Sequence, residues 1–206
     1  KIKAELLRVQ KEDREKYESF WKAFGTQIKY GLLADYGSHK DLLKDLLLFY
    51  SSKEQKLVTL AEYQERMAED QQFIYYACGD SVSNVSKLPQ VERILDKGYE
   101  ILYLVEEPDE FVIDALGAFG EKSFKSVNDK DALPESEEEK AAAEKKAEES
   151  KDVLDFVKET LGDKIKEARI SRILKSGAVC LTADGPVSLE MEKYFRRVDP
   201  EQAKMM

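Results

Sequence analysis

Four carboxylates crowd one proline: Glu106, Glu107, Asp109 and Glu110 flank Pro108. Such a cluster could hold a cation or supply an acid and a base. Acids in a first helical turn are also favoured by the helix dipole, and that is the simpler reading. Phe111 adds something different, because an aromatic beside an acid at an exposed helix start can anchor a partner. His39 is the only histidine, which excludes a multi-histidine metal site. Its position at a polar helix start predicts solvent exposure. Cys78 and Cys180 are the only cysteines, and each lies in an apolar, strand-like run. That predicts two buried, reduced thiols rather than a disulfide framework. Gly117-Ala-Phe-Gly-Glu-Lys-Ser123 has the flavour of a phosphate-binding loop, but Glu121 separates Gly120 from Lys122. A helix also precedes it and a strand follows, the reverse of the required order, so it reads as a turn. No zincin motif, Cys/His cluster or Gly-x-Ser-x-Gly elbow occurs.

The elements that position these residues must come from 206 residues, enough for one large or two small domains. A hydrophobic share of 42% supports a core, and a charged share of 36% implies much exposed helix. The net charge of −9 argues against nonspecific nucleic-acid or anionic-membrane binding. No apolar run reaches the ~18 residues of a transmembrane helix, and no signal-peptide pattern opens the chain. Asn84-Val-Ser86 is a glycosylation sequon by letter only. The chain opens at Lys1 and closes on Met205-Met206, which suggests a segment of a longer protein.

Three regions are expected. Residues 1–50 read as a coil of packed helices. Tyr17, Phe20, Trp21, Phe24, Ile28 and Leu32 recur at helical spacing, and Ser38 reads as the N-cap of a short helix bearing Leu42, Leu43, Leu46 and Leu47. Residues 51–133 read as a small α/β/α unit. Thr59 and Glu62 make a capping box. Strands are expected at 73–78, 101–105 and 123–127, separated by helices, and that order implies a small, mostly parallel sheet. Residues 128–134 look like a linker. Residues 134–206 read as a linker helix, opened by a Ser136/Glu139 capping box, and a partial α+β domain. That domain has an amphipathic helix through Val153, Leu154, Val157 and Leu161, strands at 164–170 and 178–182, and a closing helix over 187–195. The fold class is therefore α/β and α+β.

Read in order, several stretches resemble the bacterial form of the Hsp90 chaperone family. They are Phe20-Trp-Lys-Ala-Phe-Gly-Thr-Gln-Ile-Lys-Tyr-Gly31, Thr59-Leu-Ala-Glu-Tyr-Gln-Glu-Arg-Met67, Ile74-Tyr-Tyr76, Val91-Glu-Arg-Ile-Leu-Asp-Lys-Gly98, Pro108-Asp-Glu-Phe111 and Ser171-Arg-Ile-Leu174. No single stretch decides the matter; the collinear set is specific. The resemblance implies the later part of a middle domain and the start of a C-terminal domain. It places the ATP and Mg²⁺ site, and the arginine that reaches the ATP phosphate, before the residues matching Lys1. It places the dimerising helices after Met206. On this reading these residues hold no cofactor or catalytic group, whereas the intact parent is an ATPase, a homodimer and a cytoplasmic protein.

The resemblance also implies a site for nonnative client proteins. It maps to Glu110 and Phe111, and to Val187, Met191 and Tyr194 on the closing helix. The last three fall at i, i+4 and i+7, so one helical face could carry them. Methionine and aromatic groups suit weak, adaptable binding. The family often has Trp at the Phe111 position and Met at the Val187 position. The alternative is a small nucleotide- or metabolite-binding enzyme, with its ligand in a crevice at the strand ends. The lack of a Gly-rich strand-to-helix turn speaks against it.

Overall fold

The computed structural model describes residues 1–129, 131–133, 137–171, 174, 178–183, 187–198 and 201, without the side chains of residues 35, 137–140 and 143. The chain opens with helices α1 (Ile2–Glu12), α2 (Arg14–Gly37) and α3 (Lys40–Leu43), then a 3₁₀ turn at Lys44–Leu46. Helix α2 carries the expected stripe: Tyr17, Trp21 and Leu32 are buried, while Phe24 is half exposed. Gly25 is required by packing, since a Cβ there would lie 2.7 Å from the Trp21 ring. Gly37 ends the helix with φ +77°. His39, exposed as expected, rather than Ser38, precedes α3, and its side chain makes no capping bond.

The chain enters the sheet earlier than expected. Strands β1 (Phe49–Ser51) and β2 (Leu57–Val58) form an antiparallel hairpin that the sequence reading missed. Helix α4 (Leu60–Glu65) opens with the Thr59/Glu62 capping box, both of whose bonds are made. Strand β3 (Ile74–Cys78), helices α5 (Val82–Val85) and α6 (Pro89–Asp96), strand β4 (Ile101–Leu104), helix α7 (Asp109–Leu116) and strands β5 (Ala118–Phe119) and β6 (Lys122–Ser126) follow. The sheet order is β2-β1-β4-β3-β6-β5. Its centre is parallel, with Cys78 opposite Leu104 and Ile74 opposite Phe124. The Gly117–Ser123 segment is a tight hairpin, with Phe119 paired to Lys122 and Gly120 at φ +60°.

Side-chain alternation along β3 and β4 sends residues to opposite faces. Ile74, Leu102 and Leu104 pack with α2, α4 and α7 in one cluster. Tyr75, Ala77, Ile101 and Tyr103 pack with α5 and α6 in the other. The three-layer α/β/α unit is thus formed, with the helical coil joined to one of its faces. Tyr63 of α4 is its polar hub: fully buried, it donates to the Glu100 carbonyl at 2.6 Å and accepts from Gln71 Nε2 at 2.9 Å and the Tyr75 amide at 3.1 Å. The buried Glu100 carboxylate accepts from Arg66 Nη2 and Nε, at 2.7 and 2.9 Å, and from Ser51 Oγ.

The third region departs most from expectation. Within the expected linker, Ala132 and Leu133 are buried against the second cluster, and Tyr75 donates to the Ala132 carbonyl at 2.7 Å. Helices α8 (Glu137–Glu149) and α9 (Lys151–Leu161) follow; the Ser136/Glu139 box lies outside the described residues and side chains. The described parts of 164–170 and 178–182 form no strand. Strands need a ladder partner, and Val179 and Leu181 instead stand exposed, at 84% and 67%. Cys180 is only half-buried, with Ser171 Oγ 3.9 Å from its sulfur. Helix α10 (Leu189–Val198) follows.

Candidate functional site

Loops leaving β3 and β4 run to opposite faces of the sheet, so a crevice opens at their carboxyl ends. This is where open α/β sheets hold ligands. Here the crevice is walled on one side by α10. The cavity left is about 280 Å³, and Cys78, Glu110, Phe111, Met191, Tyr194 and Arg197 line it.

The first turn of α7 is built from its acids. Asp109, 3% exposed, accepts from the Val105 and Glu106 amides through Oδ2, at 3.1 and 3.0 Å. Its Oδ1 meets the Lys29 ammonium at 2.5 Å, and Lys29 also reaches Glu106 at 3.1 Å. Burial pushes the Asp109 carboxyl up from its usual range, against the pull of Lys29 and the Glu106 amide. The cluster therefore serves the helix start. Among the described residues no group of His, Cys, Asp and Glu could hold a metal ion. The sequence reading missed Lys29, since nothing in a lysine on an apolar helix announces that it will be buried.

Glu110 is 8% exposed and accepts from Ser188 Oγ at 2.6 Å. Ser188 also receives the Met191 amide at 3.0 Å, so one hydroxyl starts α10 and ties it to α7. Burial raises the Glu110 carboxyl above its usual range, Ser188 and Cys78 oppose the rise, and Glu190 and Asp114 add to it. Burial likewise pushes the half-buried Cys78 thiol well up, which makes it a poor nucleophile.

Beside this bond lies an aromatic cluster. Phe111 meets Tyr194 edge-on at 5.1 Å and Phe195 at 5.8 Å, and Tyr194 meets Phe195 at 5.6 Å. Arg197 stacks its guanidinium 5.9 Å from the Tyr194 ring and pairs with Glu107. Glu110, Phe111, Met191 and Tyr194 therefore converge, half-buried against one another or more deeply set. Val187 precedes α10, so it does not share a helical face with Met191 and Tyr194. The reason is the Ser188 cap, which starts the helix at Leu189, two residues after Val187. Ser188 and Phe195 were missed. A serine before Glu190 and Glu192 was a legible N-cap signal, and Phe195 follows Met191 at i+4.

The Hsp90 protein family model matches residues 1–206. The chain belongs to the Hsp90 family. It is 52% identical to the chaperone protein HtpG of Bacillus subtilis (strain 168) over 202 residues, 98% of this chain and 32% of that protein. It is 55% identical to the chaperone protein HtpG of Clostridium perfringens (strain 13 / Type A), with the same coverage. Against the HtpG of Clostridium acetobutylicum the identity is 54% over 196 residues, 95% of this chain and 31% of that protein. The chain thus spans about a third of the length of these Hsp90 relatives. Among the described residues, no helix is long and apolar enough to cross a membrane.

Proposed function

We propose that these residues form a client-contacting part of an Hsp90-type chaperone. The surface is made by the first turn of α7, with Glu110 and Phe111, and by α10, with Met191 and Tyr194; Val187 flanks the helix start. The observation that carries this reading is the convergence of those residues, 78 positions apart at Glu110 and Ser188, on one crevice. Aromatic and methionine groups around a narrow cleft suit brief capture of irregular apolar segments. Glu110 lines the cleft and holds the start of α10 through Ser188.

On this reading the 206 residues have no catalytic role. ATP and Mg²⁺ bind in a part of the parent protein outside them, and the parent works as a cytoplasmic homodimer. Phe111→Ala with Met191→Ala should weaken the suppression of client aggregation by the full-length protein at least severalfold, with ATP affinity unchanged. Full retention of that suppression contradicts the assignment.

One observation favours the enzyme alternative, namely a crevice at the carboxyl ends of parallel strands. Calorimetric titration of the chain with ATP and Mg²⁺ separates the two readings. Submicromolar binding would favour a nucleotide site; the chaperone reading expects none.

A further inference from the structure

A lysine with 1% of its surface exposed stands out among the charged groups. Lys29 sits on α2, its ammonium 5.4 Å from the Trp21 ring centre and 5.3 Å from that of Phe49. It meets Asp109 at 2.5 Å and Glu106 at 3.1 Å. Thr26, one turn earlier, donates to the same Glu106 oxygen at 3.1 Å. At the other end of α7, Lys40 donates to the Ala115 carbonyl at 3.2 Å.

A cation beside a helix N-terminus opposes the helix dipole. A buried ammonium also carries a desolvation penalty that an apolar side chain of similar volume avoids. The arrangement is therefore poorly explained as a device for stability alone. It does fix geometry. Asp109 is the first residue of α7, and its second oxygen holds the Val105 and Glu106 amides. The next two residues are Glu110 and Phe111. We infer that Lys29 is a positioning residue for the client surface, setting the first turn of α7 at the orientation in which Phe111 and Glu110 meet α10. This rests on the client-binding reading above. It gives the helical coil a role in client binding at a distance.

The test uses the full-length protein carrying Lys29→Met, and the pair Lys29→Met with Asp109→Asn. The pair removes both members of the closest buried ion pair together. The carboxamide oxygen that Asp109→Asn introduces still accepts the two amides, so the pair keeps the question open to test if the single variant does not fold. Amide hydrogen exchange and affinity for a chemically unfolded, cysteine-blocked globular protein are read together. The expected result is at least tenfold faster exchange confined to residues 105–113, with β3 and β4 unchanged, and at least fivefold weaker client binding. Uniformly faster exchange across the sheet would mean a merely structural role and would overturn the inference. Unchanged client affinity would overturn it as well. Phe111→Ala, measured alongside, separates the two ideas. If it too leaves client affinity unchanged, the client surface itself is misplaced; if only the Lys29 variants do, the surface stands and the positioning role falls.

Discussion

Removing the Phe111 ring should loosen α10 specifically. Phe111 makes two edge-on ring contacts with α10, to Tyr194 and Phe195. Such pairs contribute about 0.5–1.5 kcal/mol each beyond area burial, so Phe111→Ala should cost the docking of α10 about 1–3 kcal/mol. Two other ties remain. The Ser188–Glu110 bond has a carboxylate acceptor and is shielded, which places it at about 1.5–3 kcal/mol. The Arg197–Glu107 pair is largely exposed and adds roughly 0–1 kcal/mol. The helix should therefore stay formed but open more often. With tenfold per 1.4 kcal/mol, amide exchange over residues 191–198 should speed by roughly 5- to 150-fold, while α2 amides stay as they were. Tyr36→Ala is the control, since that ring is fully exposed at the far end of α2. Unchanged exchange in α10, or an equal effect from Tyr36→Ala, would refute the proposed coupling of α7 and α10.

Two further outcomes are expected. Glu110 has a raised carboxyl, so the folded chain favours its proton; that stability is full below the usual value of 4.5 and is lost as pH rises through the folded value. Glu110→Gln should therefore gain stability relative to the parent chain as pH rises above 4.5, read as a widening difference in urea midpoints, and a constant difference with pH would count against it. Tyr63→Phe leaves the Glu100 carbonyl and the Tyr75 amide without their shared hydroxyl, so unfolding by urea should become easier by about 2–5 kcal/mol; a cost below about 1 kcal/mol would show that the hub is dispensable.

Where local chemistry decides structure, the sequence was legible. Thr59 and Glu62 announced a capped helix, and the apolar runs at β3 and β4 announced buried parallel strands. The stretch from Thr59 to Cys78 also carried the family resemblance, and its structural work is that of a scaffold, through Tyr63. The β1–β2 hairpin was missed because its strands have three and two residues, too short to show a period. The converse error came at 164–170 and 178–182, whose apolar residues satisfy a strand pattern without a ladder partner among the described residues. At the site, Glu110, Phe111, Met191 and Tyr194 were readable from the resemblance. Lys29 was not, because its partner lies 80 residues away, and Ser188, though legible as an N-cap, gave no sign of its bond to Glu110 78 residues away. Val187 was misplaced because the helix begins two residues later than expected, at Leu189, and boundaries are the least certain feature of any periodic pattern.

The most direct test of the client surface is site-specific photocrosslinking. Benzoylphenylalanine placed at position 111 or 194 of the full-length protein preserves an aromatic ring and reports what touches it. Incubated with the unfolded, cysteine-blocked protein, both positions should give abundant client adducts, and position 36 on the exposed end of α2 should give few. Equal yields at all three positions, or adducts at 36 alone, would contradict the account.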